Sequence, residues 1–160
     1  MTINFESLNN WNTAEQNPER EIIDDGILGK TIHFKGAERD ASDFDIVGAA
    51  NTGSVLIVKY IPLKEFRMYA KINMISEDKK DFKIGYIHFS HSLEKPINIF
   101  GDDEWSYPVN FRIIANTWFI SSLNLKKATK DTFGKDGWKF KEIRGIRIRG
   151  TGQLNAIMIR

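Results

Sequence analysis

The chain contains no cysteine among its 160 residues, which excludes disulfide bonds, zinc-thiolate sites and cysteine nucleophiles. Histidine is scarce as well, and three copies are too few to predict a histidine-based metal centre. No apolar run approaches the roughly 18 residues of a membrane helix, so we expect no membrane insertion. The opening residues, MTINFESLNNW, lack the basic start and apolar run of a signal peptide. This is compatible with a cytoplasmic protein and with a mature or excised secreted domain.

Charge of either sign is nearly balanced, with 23 Lys and Arg against 21 Asp and Glu and a net charge of +2. So small an excess does not predict nucleic acid as a partner. Hydrophobic residues make up 41% of the chain and charged residues 28%, which is ordinary for a folded soluble domain. No long stretch rich in Pro, Gly or Ser divides the chain, so residues 1–160 are expected to form one domain.

Apolar residues alternate at period two along most of the chain, which predicts β-strands. The predicted strands span residues 3–5, 31–34, 54–61, 66–75, 82–90, 107–116, 118–123, 143–149 and 154–159. Polar or glycine-containing turns separate them, for example at residues 77–81 and at Asn51-Thr52-Gly53. Many short strands with such turns predict an all-β protein, an antiparallel two-sheet β-sandwich of the jelly-roll type.

One segment, residues 123–133, is a helical candidate because Leu125, Ala128 and Thr132 would share a face. Three lysines and the lack of a strong capping residue count against it. We therefore expect almost no helix.

Alternation also sorts each strand into an inward and an outward row, since neighbouring side chains point to opposite sides of a sheet. The predicted core residues are Phe5, Trp11, Phe34, Ile57, Met68, Ile72, Ile87, Phe89, Phe111, Ile113, Ile146 and Ile148. The outward rows of the central strands hold Arg67, Tyr69, Lys71, Asn73, Tyr86, His88, Asn110 and Arg112. If these strands are neighbours in one sheet, one face carries aromatic, basic and amide groups together.

Such a face has the chemistry of sugar recognition, because rings stack on pyranose C–H groups while Arg, Asn and His bond to hydroxyls. The alternative is an ordinary solvated sheet face. An acidic, glycine-led loop at residues 101–107 adds Trp105, either as a ligand-stacking ring or as a lid on the core edge. The candidate ligand-binding residues are Trp105, Tyr107, Tyr69, Tyr86, His88, Arg67 and Arg112.

Acidic residues offer two further hypotheses. Asp40, Asp43 and Asp45 have the hard oxygen ligands that calcium prefers, but their spacing matches no EF-hand loop, and solvated loop acids are favoured. A glycoside-active enzyme would need a pair of carboxylates. The acids available for such a pair are Asp24, Asp25, Asp102, Asp103 and Glu104, and nothing in the sequence selects among them.

Both ends of the chain carry recognisable motifs. Near the start, Asn4-Phe5-Glu6 is followed by Leu8, Trp11 and the segment Gly29-Lys30-Thr31-Ile32-His33-Phe34; near the end, Trp138 is followed by residues 143–150 and 156–159. These motifs, about a third of the chain, resemble those of galactose-binding-like jelly rolls, which include many carbohydrate-binding modules. The resemblance implies a ligand on the concave sheet or in the loops at one end. It also implies a structural calcium near the termini with Glu6 as a ligand, although Arg160 stands where such modules often have an acid.

Together these observations predict a non-catalytic, lectin-like binding module whose partner is a glycan or a glycosylated surface. The alternative is a protein-interaction or receptor-binding domain of a larger assembly, such as a toxin or phage component, since exposed aromatics serve that role too. A small glycoside-active enzyme is the third hypothesis. No cofactor is expected apart from the structural calcium.

Overall fold

The fold was obtained as a computed structural model and is described here for residues 2–46 and 53–160. The strands are β1 (Thr2–Ile3), β2 (Trp11–Glu15), β3 (Glu19–Asp24), β4 (Lys30–Lys35), β5 (Ala41–Asp45), β6 (Val55–Pro62), β7 (Arg67–Ser76), β8 (Phe82–Ser90), β9 (Ile97–Phe100), β10 (Glu104–Pro108), β11 (Asn110–Ile114), β12 (Trp118–Asn124), β13 (Trp138–Arg149) and β14 (Gly152–Ile159). A helix, α1 (Leu125–Thr132), and a 3-10 turn (Phe133–Asp136) precede β13. The first two residues of the predicted Asn51-Thr52-Gly53 turn lie outside the described residues.

The strands form two sheets, and the chain is therefore an all-β, two-sheet sandwich of the jelly-roll type. Sheet 1 has the order β11-β12-β6-β14-β4-β3, with β1 paired to β14. Sheet 2 has the order β2-β5-β13-β7-β8-β10-β9. Pairs of described strands are antiparallel, with one exception that corrects the expectation: β10 runs parallel to β8. The chain reverses before β9 and again before β10, and two reversals restore the direction of β8.

The core fills the space between the sheets, because each sheet has one apolar face and only the other sheet can cover it. Side chains completely shielded from solvent include Ile32, Leu56, Ile72, Ile87, Ile146 and Leu154. Of the predicted core residues, the structure confirms Phe5, Trp11, Phe34, Met68, Ile72, Ile87, Phe89, Ile146 and Ile148 as buried.

Three predicted core residues are wrong. Phe111 and Ile113 are 48% and 58% exposed. The predicted strand 107–116 is two strands that break at Val109, so that β10 belongs to sheet 2 and β11 to sheet 1. Alternation along a strand therefore does not predict which side chains face the core after the chain crosses to the other sheet. In β6 the inward row is Leu56, Val58 and Tyr60, which leaves Ile57 half-buried on the other side.

Helix α1 does form, against the expectation. Asn124 is its N-cap, and the side-chain Oδ1 accepts a hydrogen bond of 3.0 Å from the backbone N–H of Lys127. Leu125, Ala128 and Thr132 are buried against the core. No helix within residues 2–46 and 53–160 has the length and apolar character needed to cross a membrane.

Candidate functional site

The outward face of sheet 2 gathers a row of side chains from β8. Phe82, Ile84, Tyr86 and His88 alternate with inward-facing neighbours along the strand, so they project to the same side. Register brings the outward residues of β7 beside them: Tyr69 is opposite His88, Lys71 opposite Tyr86 and Asn73 opposite Ile84. Arg67 is in phase with Tyr69 on β7, so four of the predicted ligand-binding residues, Arg67, Tyr69, Tyr86 and His88, do share one face.

The centre of this face is a compact ion-pair cluster. Asp43 of β5 accepts two hydrogen bonds from Arg147 of β13, with Nε–Oδ1 at 2.7 Å and Nη2–Oδ2 at 2.9 Å. Lys71 donates to the same carboxylate at 3.0 Å. Burial acts to raise the pKa of Asp43, but hydrogen bonds from Arg147 and Lys71 outweigh it and the pKa is lowered. The Arg147 guanidinium also lies 4.6 Å from the centre of the Tyr86 ring.

Beside the cluster, Tyr69 and His88 pack together with ring centres 5.1 Å apart. Tyr69 is only 2% exposed although it is on the outward face. His88 Nδ1 is 2.6 Å from Ser106 Oγ of β10. Burial, with the nearby Arg67 cation, lowers the pKa of His88 to about 4, so this imidazole is neutral at pH 7.

Toward the other end of the β8 row lies a groove of about 350 Å³, lined by Asn73, Phe82, Lys83, Ile84, Lys141 and Arg144. The Phe82 ring is 61% exposed, which is unusual for so large an apolar group. Lys141 Nζ stands 4.4 Å from its centre. Asn73 Nδ2 donates to Glu142 at 2.6 Å, which orients its amide. The groove therefore combines an open ring with an oriented amide and cationic side chains.

Three predicted site residues lie elsewhere. Trp105 is on the inward row of β10, half-buried, with its ring centre 6.4 Å from that of Phe133; it covers the core edge and is not an exposed stacking ring. Tyr107 is buried, and its hydroxyl donates to Asp131 at 2.6 Å. Arg112 is exposed on β11, in sheet 1. The crossing between sheets that displaced the core residues of this segment also separates Arg112 from the predicted face.

Sequence reasoning missed several residues of the face, although signals were present. Phe82 is in phase with Tyr86 and His88 on one strand, four and six residues away. Arg147 alternates with the buried Ile146 and Ile148, so period two already directed it outward. Asp43 had no such signal, because its segment was interpreted as a solvated loop, whereas it forms β5 and carries a buried carboxylate.

The structural calcium with Glu6 as a ligand stays a prediction. Glu6 is exposed and forms an ion pair with Lys30, so its carboxylate is already bound by an ammonium group. Within the described residues, no three side chains of His, Cys, Asp or Glu come close enough to hold a metal ion. Asp102 and Asp103 lie in the exposed turn before β10, where Asp103 is 3.1 Å from Lys83, while Glu104 is opposite Tyr86 at the edge of the outward face.

Comparison with known proteins adds little. No protein family matches the chain, and no curated protein does. Among solved structures, the chain is similar to a loop-swap mutant of Necallimastix patriciarum Xyn11A, with 8% identity and a TM-score of 0.36 over 99% of this chain and 96% of that one. So low a TM-score does not establish a shared fold. The assignment as a two-sheet jelly-roll sandwich therefore rests on the sheets themselves.

Proposed function

We propose that this protein is a non-catalytic, lectin-like carbohydrate-binding module whose ligand lies along the β8 row of sheet 2, from the groove at Phe82 toward Tyr86. The observation that carries the proposal is the open Phe82 ring in a groove that also presents Asn73 and Arg144. The resemblance of the chain ends to galactose-binding-like modules supports the same function. The proposed partner is a free glycan or a glycosylated surface.

The two ends of the β8 row have different roles: the Phe82 end contacts the ligand, and the Tyr86 end is held rigid. A pyranose ring stacked on Phe82 gains apolar contact with its C–H face, and Arg144 and Asn73 offer directional hydrogen bonds to its hydroxyls. The ion-pair cluster around Asp43 holds Arg147, and through it the Tyr86 ring, in a fixed position. A rigid surface of this kind loses little entropy on binding.

The state of the central acid favours binding over catalysis. A general acid must be protonated near neutral pH, which requires a raised pKa. Asp43 has the opposite environment, because Arg147 and Lys71 lower its pKa and occupy its oxygens. Glu142 is engaged by Asn73. These contacts support a structural role for both carboxylates.

The test is a glycan-array screen of the purified protein, followed by titration calorimetry against the hits. An open groove leaves much of the ligand hydrated, so we expect dissociation constants of roughly micromolar to millimolar. Phe82→Ala and Arg144→Gln should each weaken binding about tenfold or more. The matched controls are Phe111→Ala and Arg112→Gln, which remove an exposed Phe and an exposed Arg from sheet 1 and should leave affinity unchanged.

Two results would contradict the proposal. Equal losses in the sheet 1 controls would mean that the β8 row is not the binding surface. Cleaved sugar after long incubation with a hit would establish the glycoside-active alternative and direct attention to Asp102, Asp103 and Glu104.

A second candidate function is a protein-interaction or receptor-binding domain of a larger assembly such as a toxin or phage component. Edge strand β9 favours it, because Phe100 is largely exposed and Ile97 and Ile99 are nearly half exposed at the open edge of sheet 2. If no glycan binds, this function becomes the leading one. Phe100→Glu would then be the variant expected to abolish partner binding while the groove variants leave it intact.

A further inference from the structure

A second pocket, of about 550 Å³, lies between α1 and the start of β13. Its apolar wall is formed by Trp138 and Phe140, which belong to the inward row of β13 and are both half-buried. The Lys141 side chain, in the groove described above, projects from the opposite face of the same strand. None of the residues that line this pocket lines the groove. The two sites therefore share no lining residue, although Lys83 of the groove has its Nζ 5.8 Å from the centre of the Trp138 ring.

The rim of the pocket is strongly cationic. Lys126 and Lys130 are four residues apart on α1 and so project from one side of the helix. Lys135 and Lys139 also line the pocket, whose acidic lining residue, Glu77, is 3.5 Å from Lys139. Within the described residues, Lys126, Lys130 and Lys135 have no carboxylate within ion-pair distance. Three lysines that form no direct ion pair within the described residues thus surround an aromatic wall, with Asp131 near Lys130 at longer range.

From this combination we propose that the pocket, named here the lysine pocket, binds a small amphiphilic organic anion: a flat ring or short alkyl group that carries one sulfonate, carboxylate or phosphate. The apolar part would pack on Trp138 and Phe140, where it removes apolar surface from water. The anionic group would accept charge-assisted hydrogen bonds from Lys126 and Lys130. The volume is within the range usual for small-ligand sites.

Charge complementarity selects this ligand class over a neutral one. A neutral apolar ligand would leave the three lysines uncompensated and would gain nothing from them. The apolar wall in turn disfavours a simple inorganic ion, which would make no use of the two rings. The lysines of α1 counted against a helix in the sequence. Two of them, Lys126 and Lys130, would bind the anionic group of the ligand at this site.

The experiment uses 8-anilinonaphthalene-1-sulfonate, which joins flat rings to one sulfonate, and measures its binding to the folded chain by calorimetry and probe fluorescence. We expect saturable binding of one probe per chain. The double variant Lys126→Gln/Lys130→Gln should bind at least tenfold more weakly. The matched control, Lys35→Gln/Lys64→Gln, also removes two exposed lysines but none from the pocket, and it should bind as the unaltered protein does.

Two further measurements locate the site. N-phenyl-1-naphthylamine, the neutral analogue without the sulfonate, should bind at least tenfold more weakly than the sulfonate. In a nitrogen–proton correlation spectrum, the probe should shift the indole signal of Trp138, assigned with Trp138→Phe, more than those of the other tryptophans. Equal affinity of the two lysine double variants, equal affinity of the neutral analogue, or shifts centred on another tryptophan would each overturn the proposal. None of these readouts depends on glycan binding.

Discussion

At the scale of single residues, the outward face of sheet 2 contains one charged side chain, Asp43, that is almost completely shielded from water. The Asp43 side chain is only 9% exposed, and both of its oxygens are bound by Arg147 or Lys71. A buried ion costs several kcal/mol in desolvation unless hydrogen bonds compensate it. An ordinary solvated sheet face contains no such group, because its charges stay in water. The cluster therefore distinguishes this face from an ordinary solvated sheet face in its burial of charge.

Removal of Arg147 should lower the free energy of unfolding, because the desolvation of Asp43 would no longer be fully compensated. Arg147→Met leaves the Asp43 carboxylate with Lys71 alone, and we expect the free energy of unfolding to fall by about 3 kcal/mol. Urea denaturation measures it. The control is Arg149→Met on the same strand, whose partner Glu15 is half-exposed at 2.6 Å; such pairs contribute about 1 kcal/mol or less. Similar losses in the two variants would mean that burial of Asp43 is not the cause.

His88 should make stability depend on pH. Its folded pKa is about 4, below the ordinary value near 6.5, so between these values the unfolded chain binds a proton that the folded chain does not. The free energy of unfolding should therefore fall as pH decreases from 6.5 to 4, by up to roughly 3 kcal/mol, and stay constant for this group above pH 6.5.

Denaturation at several pH values between 5 and 7 tests this, since most carboxylates do not titrate there. His88→Gln should reduce the slope, and the remainder comes from His33 and His91, whose pKa values are also lowered by burial; His33→Gln, a change at a less buried ring, should preserve most of the slope. An unchanged slope in His88→Gln would assign the effect to another group.

At the scale of elements, the N-cap residue Asn124 helps the lysine-rich segment of α1 to form a helix. The helix has no acidic residue in its first turn. The N–H of Lys127 depends on Asn124, and the N–H of Leu125 donates to the Ser54 carbonyl at 2.7 Å. Its buried side, which includes Leu125 and Ala128, packs against the start of β13 and closes one side of the lysine pocket. Because the helix forms one side of the lysine pocket, the cap that stabilises the helix also helps to maintain the pocket.

Asn124→Ala should cost about 1 kcal/mol of stability, because the N–H of Lys127 loses its acceptor at the start of the helix. Thermal or urea denaturation provides the value. Asn124→Asp keeps an oxygen at the same place and should stay within a few tenths of a kcal/mol of the unaltered protein. A full loss in Asn124→Asp as well would show that the cap is not what stabilises α1.

At the scale of the whole molecule, two sheets cover one another's apolar faces and leave both outer faces to solvent. The proposed glycan surface uses the outer side of sheet 2, whereas the lysine pocket opens beside its inner side. Trp138 and Phe140 of the pocket are on the inward row of β13, whereas Lys141 of the groove and the rim residue Lys139 are on its outward row. The core between the sheets supplies the rigidity on which both depend.

A matched pair of substitutions tests this division. Ile146→Ala removes a fully buried side chain and should cost about 2 to 5 kcal/mol, since it leaves a cavity between the sheets. Ile113→Ala makes the same change at a position that is 58% exposed and should cost about 1 kcal/mol or less. Chemical denaturation of both variants gives the comparison. Equal costs would mean that β11 is packed inward, as the sequence pattern first indicated.

The sequence by itself determined the fold class and most of the core, because period-two alternation is a local property: Ile72 and Ile87 are inward for the same reason that Tyr86 and His88 are outward. It also predicted the shared placement of Arg67, Tyr69, Tyr86 and His88. Whether these residues bind a glycan stays a prediction.

Only the tertiary structure decided which strands are neighbours. Arg112 alternates correctly within its segment, yet it lies in the other sheet because the chain crosses at Val109, and no local pattern records a crossing. Trp105 turned inward for the same kind of reason, since Phe133 becomes its neighbour only when α1 packs on the core. Asp43 and Arg147 are 104 positions apart in sequence, and their pairing exists only through the register of β5 on β13. The order and register of whole strands in a sheet determine which side chains from distant parts of the sequence meet.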